Sequence, residues 1–191
     1  MQQIILASQS PRRKQLLEWA EVPFEIVVRE TNETFPAGLR VEEVAIYIAR
    51  QKAMAVRSMV NDDSVILAAD TIVVLKGRII GKPKDKEEAI RILSDLSGQK
   101  HVVITGVVIM NGKKQISFSD STEVDFHDLS RQEIEFYVDK YRPYDKAGAY
   151  AIQAWIGVIG IKSVAGDFYN VMGLPVSRVV KELKKLNPAM I

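Results

Sequence analysis

Apolar and polar positions form alternating blocks along the chain that predict strands and helices in turn. The first apolar run, residues 4–7, leads through a turn into a helix that begins at Pro11 and places Leu16, Leu17 and Ala20 on one face. Further strands are predicted at 24–28, 65–75, 78–80, 102–110, 117–126 and 158–164, and further helices at 41–59, 85–96, 130–140 and 175–186. This alternation predicts an α/β fold.

Caps and turns mark the ends of these elements. Asp85 with Glu88 and Ser130 with Glu133 have the spacing of a capping box at a helix start. Residues 111–112 read Asn-Gly, which is the strongest hairpin signal in the chain. The polar stretch 29–40, which contains Glu33, is predicted to be a loop.

Asp70 is a polar residue where the pattern demands an apolar one. It interrupts the run VILAADTIVVL at 65–75. An unpaired buried carboxylate costs several kcal/mol, so it needs a cation or hydrogen bonds. Either the strand ends at Ala69 and Asp70 belongs to a turn, or Asp70 is a metal ligand or a general base.

Arg12 and Arg13 lie in the first turn of the first helix, where the helix dipole favours acidic residues. The unfavourable sign costs from a few tenths to about 1 kcal/mol for each arginine. An anion bound at this end, facing the hydroxyls of Ser8 and Ser10, would remove the conflict. The alternative is an ordinary solvated helix start.

Three lysines complete a set of cations. Lys52 falls in the apolar phase of the helix at 41–59, so its ammonium group either reaches solvent or enters a binding site. Lys82 follows Gly81 in GKP, and Lys146 opens KAGAYAIQ, which also contains Gln153. Together with the carboxylates of Glu33 and Asp70, these cations suit a polyphosphate and a divalent metal.

Composition excludes several classes of protein. The chain has 191 residues, of which 47% are hydrophobic, so it is long and apolar enough to form one folded domain. A net charge of +2 gives no support for nucleic-acid or membrane binding. The absence of cysteine and the presence of only two histidines argue against disulfides and zinc, which leaves Mg²⁺ or Mn²⁺ as the metal. We find no signal peptide or membrane-spanning run and expect a cytoplasmic protein.

Six motifs together resemble the Maf family of nucleoside triphosphate pyrophosphatases. They are SQSPRR at 8–13, AADT at 68–71, GKP at 81–83, LSG at 96–98, KAGAYAIQ at 146–153 and MGLP at 172–175. The resemblance implies a single domain over 1–191. It also implies a two-lobed mixed sheet flanked by helices, with a central cleft, as in inosine-triphosphate pyrophosphatases. The implied reaction cleaves a nucleoside triphosphate between its α and β phosphates, and the implied assembly is a homodimer.

The same resemblance implies roles for individual residues. Asp70 would accept the proton of the attacking water, and Glu33 and Asp70 would hold Mg²⁺ or Mn²⁺. The substrate-binding residues would be Ser8, Arg12, Arg13, Lys52, Thr71, Lys82, Lys146 and Gln153.

The implied base preference rests on three of these positions. Arg13, Thr71 and Gln153 are similar to the branch that acts on dTTP and UTP, whereas the 7-methyl-GTP branch has Gln after the aspartate and Glu at position 153. Where relatives often have Gly and a basic residue, this chain has Ala154 and Trp155. Trp155 either stacks on the base or packs within the protein. Modified pyrimidine nucleotides are further substrates that the resemblance implies.

Two other classes of function use the same features. A nucleotide-binding regulator of cell division with little turnover would need the phosphate site but not a water-activating carboxylate. A nucleic-acid-binding protein would need a basic, aromatic-rich surface, which the near-neutral sequence does not provide.

Overall fold

A computed structural model describes residues 3–186 and has a mixed α/β architecture. The strands are β1 (Ile4–Leu6), β2 (Glu25–Ile26), β3 (Val65–Leu75), β4 (Arg78–Ile80), β5 (Lys100–Asn111), β6 (Lys114–Phe126) and β7 (Ile161–Ala165). The helices are α1 (Pro11–Trp19), α2 (Val41–Arg57), α3 (Lys86–Leu96), α4 (Arg131–Tyr141), α5 (Trp155–Gly160), α6 (Phe168–Met172) and α7 (Val176–Leu186). A 3₁₀ turn at Ala147–Ala149 completes the described elements.

The strands form one sheet in the order β2-β1-β3-β5-β6-β7, with β4 paired to β3. Strand β1 is parallel to both β2 and β3. Strands β4 and β7 are antiparallel to β3 and β6, respectively. The predicted class, a mixed sheet flanked by helices, is therefore confirmed.

The chain divides into two compact units. Of the described residues, the first unit comprises 3–71, 105–120 and 173–186, and the second comprises Ile72–Ile104 and Ser121–Met172. Strands β3, β5 and β6 each contribute residues to both units. The assignment of 1–191 to a single domain stays a prediction.

In the first unit, helix α2 packs closely against the sheet. Two of its buried alanines, Ala49 and Ala53, belong to one core cluster with Ile5 and Ile66 of the sheet. Gly106 of β5 allows this approach, because a Cβ at that position would overlap the backbone of α2 at residues 45–46. The position of the α2 backbone is thus set by its close contact with β5.

In the second unit, three rings pack edge to face. The centroids of His101 and Tyr150 are both 5.0 Å from that of Phe126 and lie 5.4 Å from each other. His101 Nε2 and the Tyr150 hydroxyl are 2.8 Å apart. Burial lowers the pKa of His101 from its usual 6.5 to about 4. The imidazole is therefore neutral near pH 7.

Three local predictions differ from the structure. The strand predicted at 158–164 begins only at Ile161, because a helical turn that starts after Ala154 occupies Trp155–Gly160. Helix α6 was not predicted, although Asp167 is its cap and accepts from the N–H of Tyr169. The capping box at Asp85 is incomplete, since Glu88 accepts from the N–H of Lys84 instead.

The other predicted helices and strands are present with small shifts at their ends. The box at Ser130 and Glu133 is complete, and the hairpin after Asn111 joins β5 to β6. Among the helices of residues 3–186, none has the length and apolar character needed to cross a membrane.

Candidate active site

Asp70 lies inside strand β3, and its side chain is only 11% exposed. The strand continues for five residues beyond it, to Leu75, so the alternative that places Asp70 in a turn is wrong. Asp70 Oδ1 accepts a hydrogen bond of 2.6 Å from Lys52 Nζ. The cation that the buried carboxylate requires is therefore supplied by helix α2.

Lys52 contacts two carboxylates at once. Its Nζ is 2.6 Å from Asp70 Oδ1 and 2.8 Å from Glu33 Oε1, which belongs to the loop before α2. The Lys52 side chain is 18% exposed, so it is directed into the site rather than to solvent. The structure thus brings the side chains of Glu33, Lys52 and Asp70 together.

Arg13 is buried and holds three neighbours with its guanidinium group. Nε donates to the carbonyl oxygen of Gly173 at 2.7 Å. The two terminal nitrogens donate to Ser8 Oγ at 3.1 Å and to Thr71 Oγ1 at 2.9 Å. Burial lowers the pKa of Arg13, and the nearby charge of Asp70 opposes that shift. Arg13 therefore ties the start of α1 to β3 and to the turn before α7.

Two serine hydroxyls hold the start of α1. Ser10 Oγ accepts from the Arg13 N–H, and Ser8 Oγ accepts from the Ser10 N–H. The first turn of the helix contains no acidic residue, and Arg12, which lies in that turn, is half-buried. The anion predicted at this helix start stays a prediction.

Three predicted substrate-binding residues belong to the second unit. Lys82 and Gln153 are exposed, and Lys146 Nζ lies 2.6 Å from Asp145 Oδ1. The segments that carry the two lysines are joined by a hydrogen bond of 3.2 Å from the Gly148 N–H to the Gly81 carbonyl. Trp155 packs edge to face on Phe136 at 4.8 Å, which favours the packing alternative for that residue.

The sequence model of the family described as Maf-like protein matches residues 3–186. The chain belongs to the Maf-like family. Its similarity to individual members extends over nearly the whole sequence.

Three curated relatives of this Maf-like protein carry the name dTTP/UTP pyrophosphatase. The protein of Bacteroides thetaiotaomicron is 48% identical over 96% of both chains. That of Porphyromonas gingivalis is 51% identical and aligns over 95% of this chain and 92% of its own. That of Cytophaga hutchinsonii is 50% identical and aligns over 98% of this chain and 86% of its own.

A solved structure with a similar backbone is the nucleoside-triphosphatase, or dITP/XTP pyrophosphatase, of Mycobacterium abscessus. It is 12% identical, covers 99% of this chain and 98% of its own, and gives a TM-score of 0.43. This similarity is too low to bear on function.

The Maf-like site has a donor set that fits a divalent metal. No group of three or more His, Cys, Asp or Glu side chains that could hold a metal occurs within residues 3–186. Mg²⁺, however, is usually bound by one or two carboxylates together with water and substrate phosphates. Glu33 and Asp70 both direct an oxygen at one cationic nitrogen, so they are the residues that would hold the ion.

Two residues of this Maf-like site were not singled out from the sequence. Thr105 is fully buried in β5, and its Oγ1 lies 2.9 Å from Thr71 Oγ1. Gly173 accepts from Arg13 through its carbonyl group. Thr105 gave the same signal as Asp70, a polar residue inside an apolar strand, and Gly173 lies in the MGLP motif.

Proposed function

We propose that this Maf-like protein hydrolyses dTTP and UTP to the nucleoside monophosphate and pyrophosphate. Relatives that carry this name share about half of their residues with the chain over nearly its full length. The observation that carries the proposal is the buried Asp70 carboxylate, held among Lys52, Glu33 and Arg13 in a strand that otherwise carries apolar side chains. A carboxylate beside cations suits attack of water on a phosphoric anhydride.

In the proposed reaction, Asp70 accepts the proton of the attacking water as the water oxygen bonds to phosphorus. The P–O bond to the leaving group breaks, and pyrophosphate departs with its negative charge. Lys52 and Arg12 stabilise the negative charge that develops on the phosphate oxygens. Mg²⁺ or Mn²⁺ held by Glu33 and Asp70 would supply further positive charge at the phosphates.

The roles implied for Lys82, Lys146 and Gln153 in the second unit stay predictions, as do the homodimer and the cytoplasmic location. A Gln amide has both a donor and an acceptor, as does the edge of a pyrimidine base. Gln153 thus has the groups that the edge of a pyrimidine base requires. A panel of nucleotides tests this base preference directly.

The test measures pyrophosphate release from dTTP, UTP, CTP, GTP and 7-methyl-GTP with Mg²⁺. We expect release from dTTP and UTP. Asp70→Asn, which keeps the shape of the side chain, should lower kcat by about 10²–10⁴-fold because a positioned base is lost. Asp95→Asn changes an exposed aspartate of α3 and serves as the matched control.

Each result separates one alternative. Preference for 7-methyl-GTP would keep the chemistry and reject the pyrimidine assignment. Nucleotide binding without turnover by the folded protein would favour the nucleotide-binding regulator. Normal turnover by Asp70→Asn would remove Asp70 from the mechanism.

A further inference from the structure

The two carboxylates that fit a metal already share a cation. Lys52 Nζ donates to Asp70 at 2.6 Å and lies 2.8 Å from Glu33. A divalent ion bound by the same two oxygens would require the space between them, where the ammonium group now lies. Lys52 and the metal therefore cannot both keep these contacts.

The ammonium group has a clear electrostatic reason to be there. Two carboxylates that face one point repel each other, and the repulsion is strong where side chains are shielded from water. Lys52 and Asp70 are 18% and 11% exposed, whereas Glu33 is 43% exposed, so solvent screens the Lys52–Asp70 pair less than the contact with Glu33. The lysine thus stabilises a pair of acids that would otherwise repel each other.

We propose that Lys52 is a resident counter-ion that competes with the divalent metal for Glu33 and Asp70. Metal binding then requires Lys52 Nζ to leave, and the phosphate oxygens of a nucleotide give it new acceptors. Metal alone therefore binds weakly to the protein. When metal and nucleotide bind together, the metal neutralises the two carboxylates and the phosphates neutralise Lys52. This inference deepens the proposed function, on which it rests.

Helix α2 allows such an exchange without moving its backbone. The backbone of α2 packs against Gly106 of β5 at residues 45–46. This contact lies about two helical turns before Lys52. The lysine side chain has four rotatable bonds, so its end can change partner while its Cα stays in place. The exchange therefore needs only a change in the conformation of the Lys52 side chain, while Glu33 and Asp70 stay in place.

The test is Mn²⁺ binding to the protein without nucleotide, followed by electron paramagnetic resonance. Lys52→Met removes the competing ammonium group and should tighten Mn²⁺ binding by about tenfold or more, because the metal no longer displaces charge-assisted hydrogen bonds. Lys52→Gln, a polar replacement, provides the same test if the methionine variant does not fold. Lys100→Met, which removes an exposed lysine 2.9 Å from Glu123, should leave Mn²⁺ binding unchanged.

Adding Glu33→Gln to Lys52→Met locates the effect. We expect the gain in Mn²⁺ affinity to be lost in that double variant. Unchanged or weaker Mn²⁺ binding in both Lys52 variants would overturn the proposal, as would a gain that survives Glu33→Gln.

Failure of this inference and failure of the proposed function give different results. If the wild-type protein releases no pyrophosphate but Lys52→Met binds Mn²⁺ more tightly, the assigned reaction fails and the competition stands. If turnover is normal and the Lys52 variants bind Mn²⁺ as the wild type does, the competition fails alone.

Discussion

The hydroxyl group of Thr71 uses both its acceptor and its donor capacity within the protein. Its Oγ1 accepts from the Arg13 guanidinium group at 2.9 Å. The single proton of the hydroxyl is then left for Thr105 Oγ1 at 2.9 Å or the Gly173 carbonyl at 3.4 Å. In either arrangement Thr71 is held between a cation and a second buried group. Its contribution to the site therefore includes the positioning of Arg13.

We expect Thr105→Val to lower kcat/KM for dTTP by about tenfold, because the variant removes one hydrogen bond from a network that ends on a charged group. Thr105→Ser keeps the hydroxyl and should stay within about twofold of wild type. The measurement is steady-state pyrophosphate release, with kcat and KM separated. In a Thr71→Val background the Thr105→Val effect should shrink, since both changes break one chain of contacts. Equal activity of the valine and serine variants would contradict this role.

At the scale of elements, the packing of α2 on β5 decides where Lys52 lies. Ala45 is fully buried, and its backbone carbonyl carbon is among the atoms nearest to Gly106. A larger residue at either position would lift the helix from the sheet. Since Lys52 is on the same helix and Asp70 is on the neighbouring strand β3, that shift would also open their 2.6 Å contact.

We expect Gly106→Ala to lower the free energy of unfolding by about 2–3 kcal/mol, because its Cβ would overlap helix backbone that cannot rotate away. Gly81→Ala is the matched control, since a Cβ there meets nothing within 4 Å and its φ is not in the left-handed region. Urea unfolding followed by circular dichroism measures both. A Gly106→Ala protein as stable as the control would show that α2 moves without cost.

The same elements show what the sequence could predict. Asp70 and Lys52 were visible because each breaks a strong local pattern, a strand in one case and a helical stripe in the other. Residues 155–160 were predicted partly as strand, because a short apolar run has the same composition in either state, and local hydrogen bonds after Ala154 decide the outcome. The five-residue helix α6 is shorter than any periodic pattern can reveal.

At the scale of the whole molecule, most of the contacts that build the site join residues that are far apart in the sequence. Arg13 and Gly173 are 160 positions apart, yet their hydrogen bond is 2.7 Å. No local pattern encodes that pairing, because it depends on the strand order and on where α7 begins. The family motifs supplied the residue types in advance, whereas the hydroxyl pair of Thr71 and Thr105 required the adjacency of β3 and β5 in the sheet.

His101 gives the stability of the molecule a dependence on pH that is separate from the site. Burial holds its folded-state pKa at about 4, below the usual 6.5. Between those values the unfolded chain binds a proton that the folded chain does not, so stability falls as the pH falls through this window and is unaffected by His101 above it. The whole shift corresponds to about 3 kcal/mol.

We therefore expect His101→Gln, which is neutral throughout and can still hydrogen-bond Tyr150, to flatten the acid side of the stability profile. The variant should be less stable than wild type near neutral pH, because a ring is lost from the cluster with Phe126 and Tyr150. On acidification the wild type should lose about 2–3 kcal/mol more than the variant, which urea unfolding at several pH values measures. Carboxylates titrate in both proteins, so the difference between the two profiles isolates the imidazole. Parallel profiles would mean that His101 takes up its proton equally well in the folded and the unfolded chain, and that its contact with Tyr150 opens at little cost.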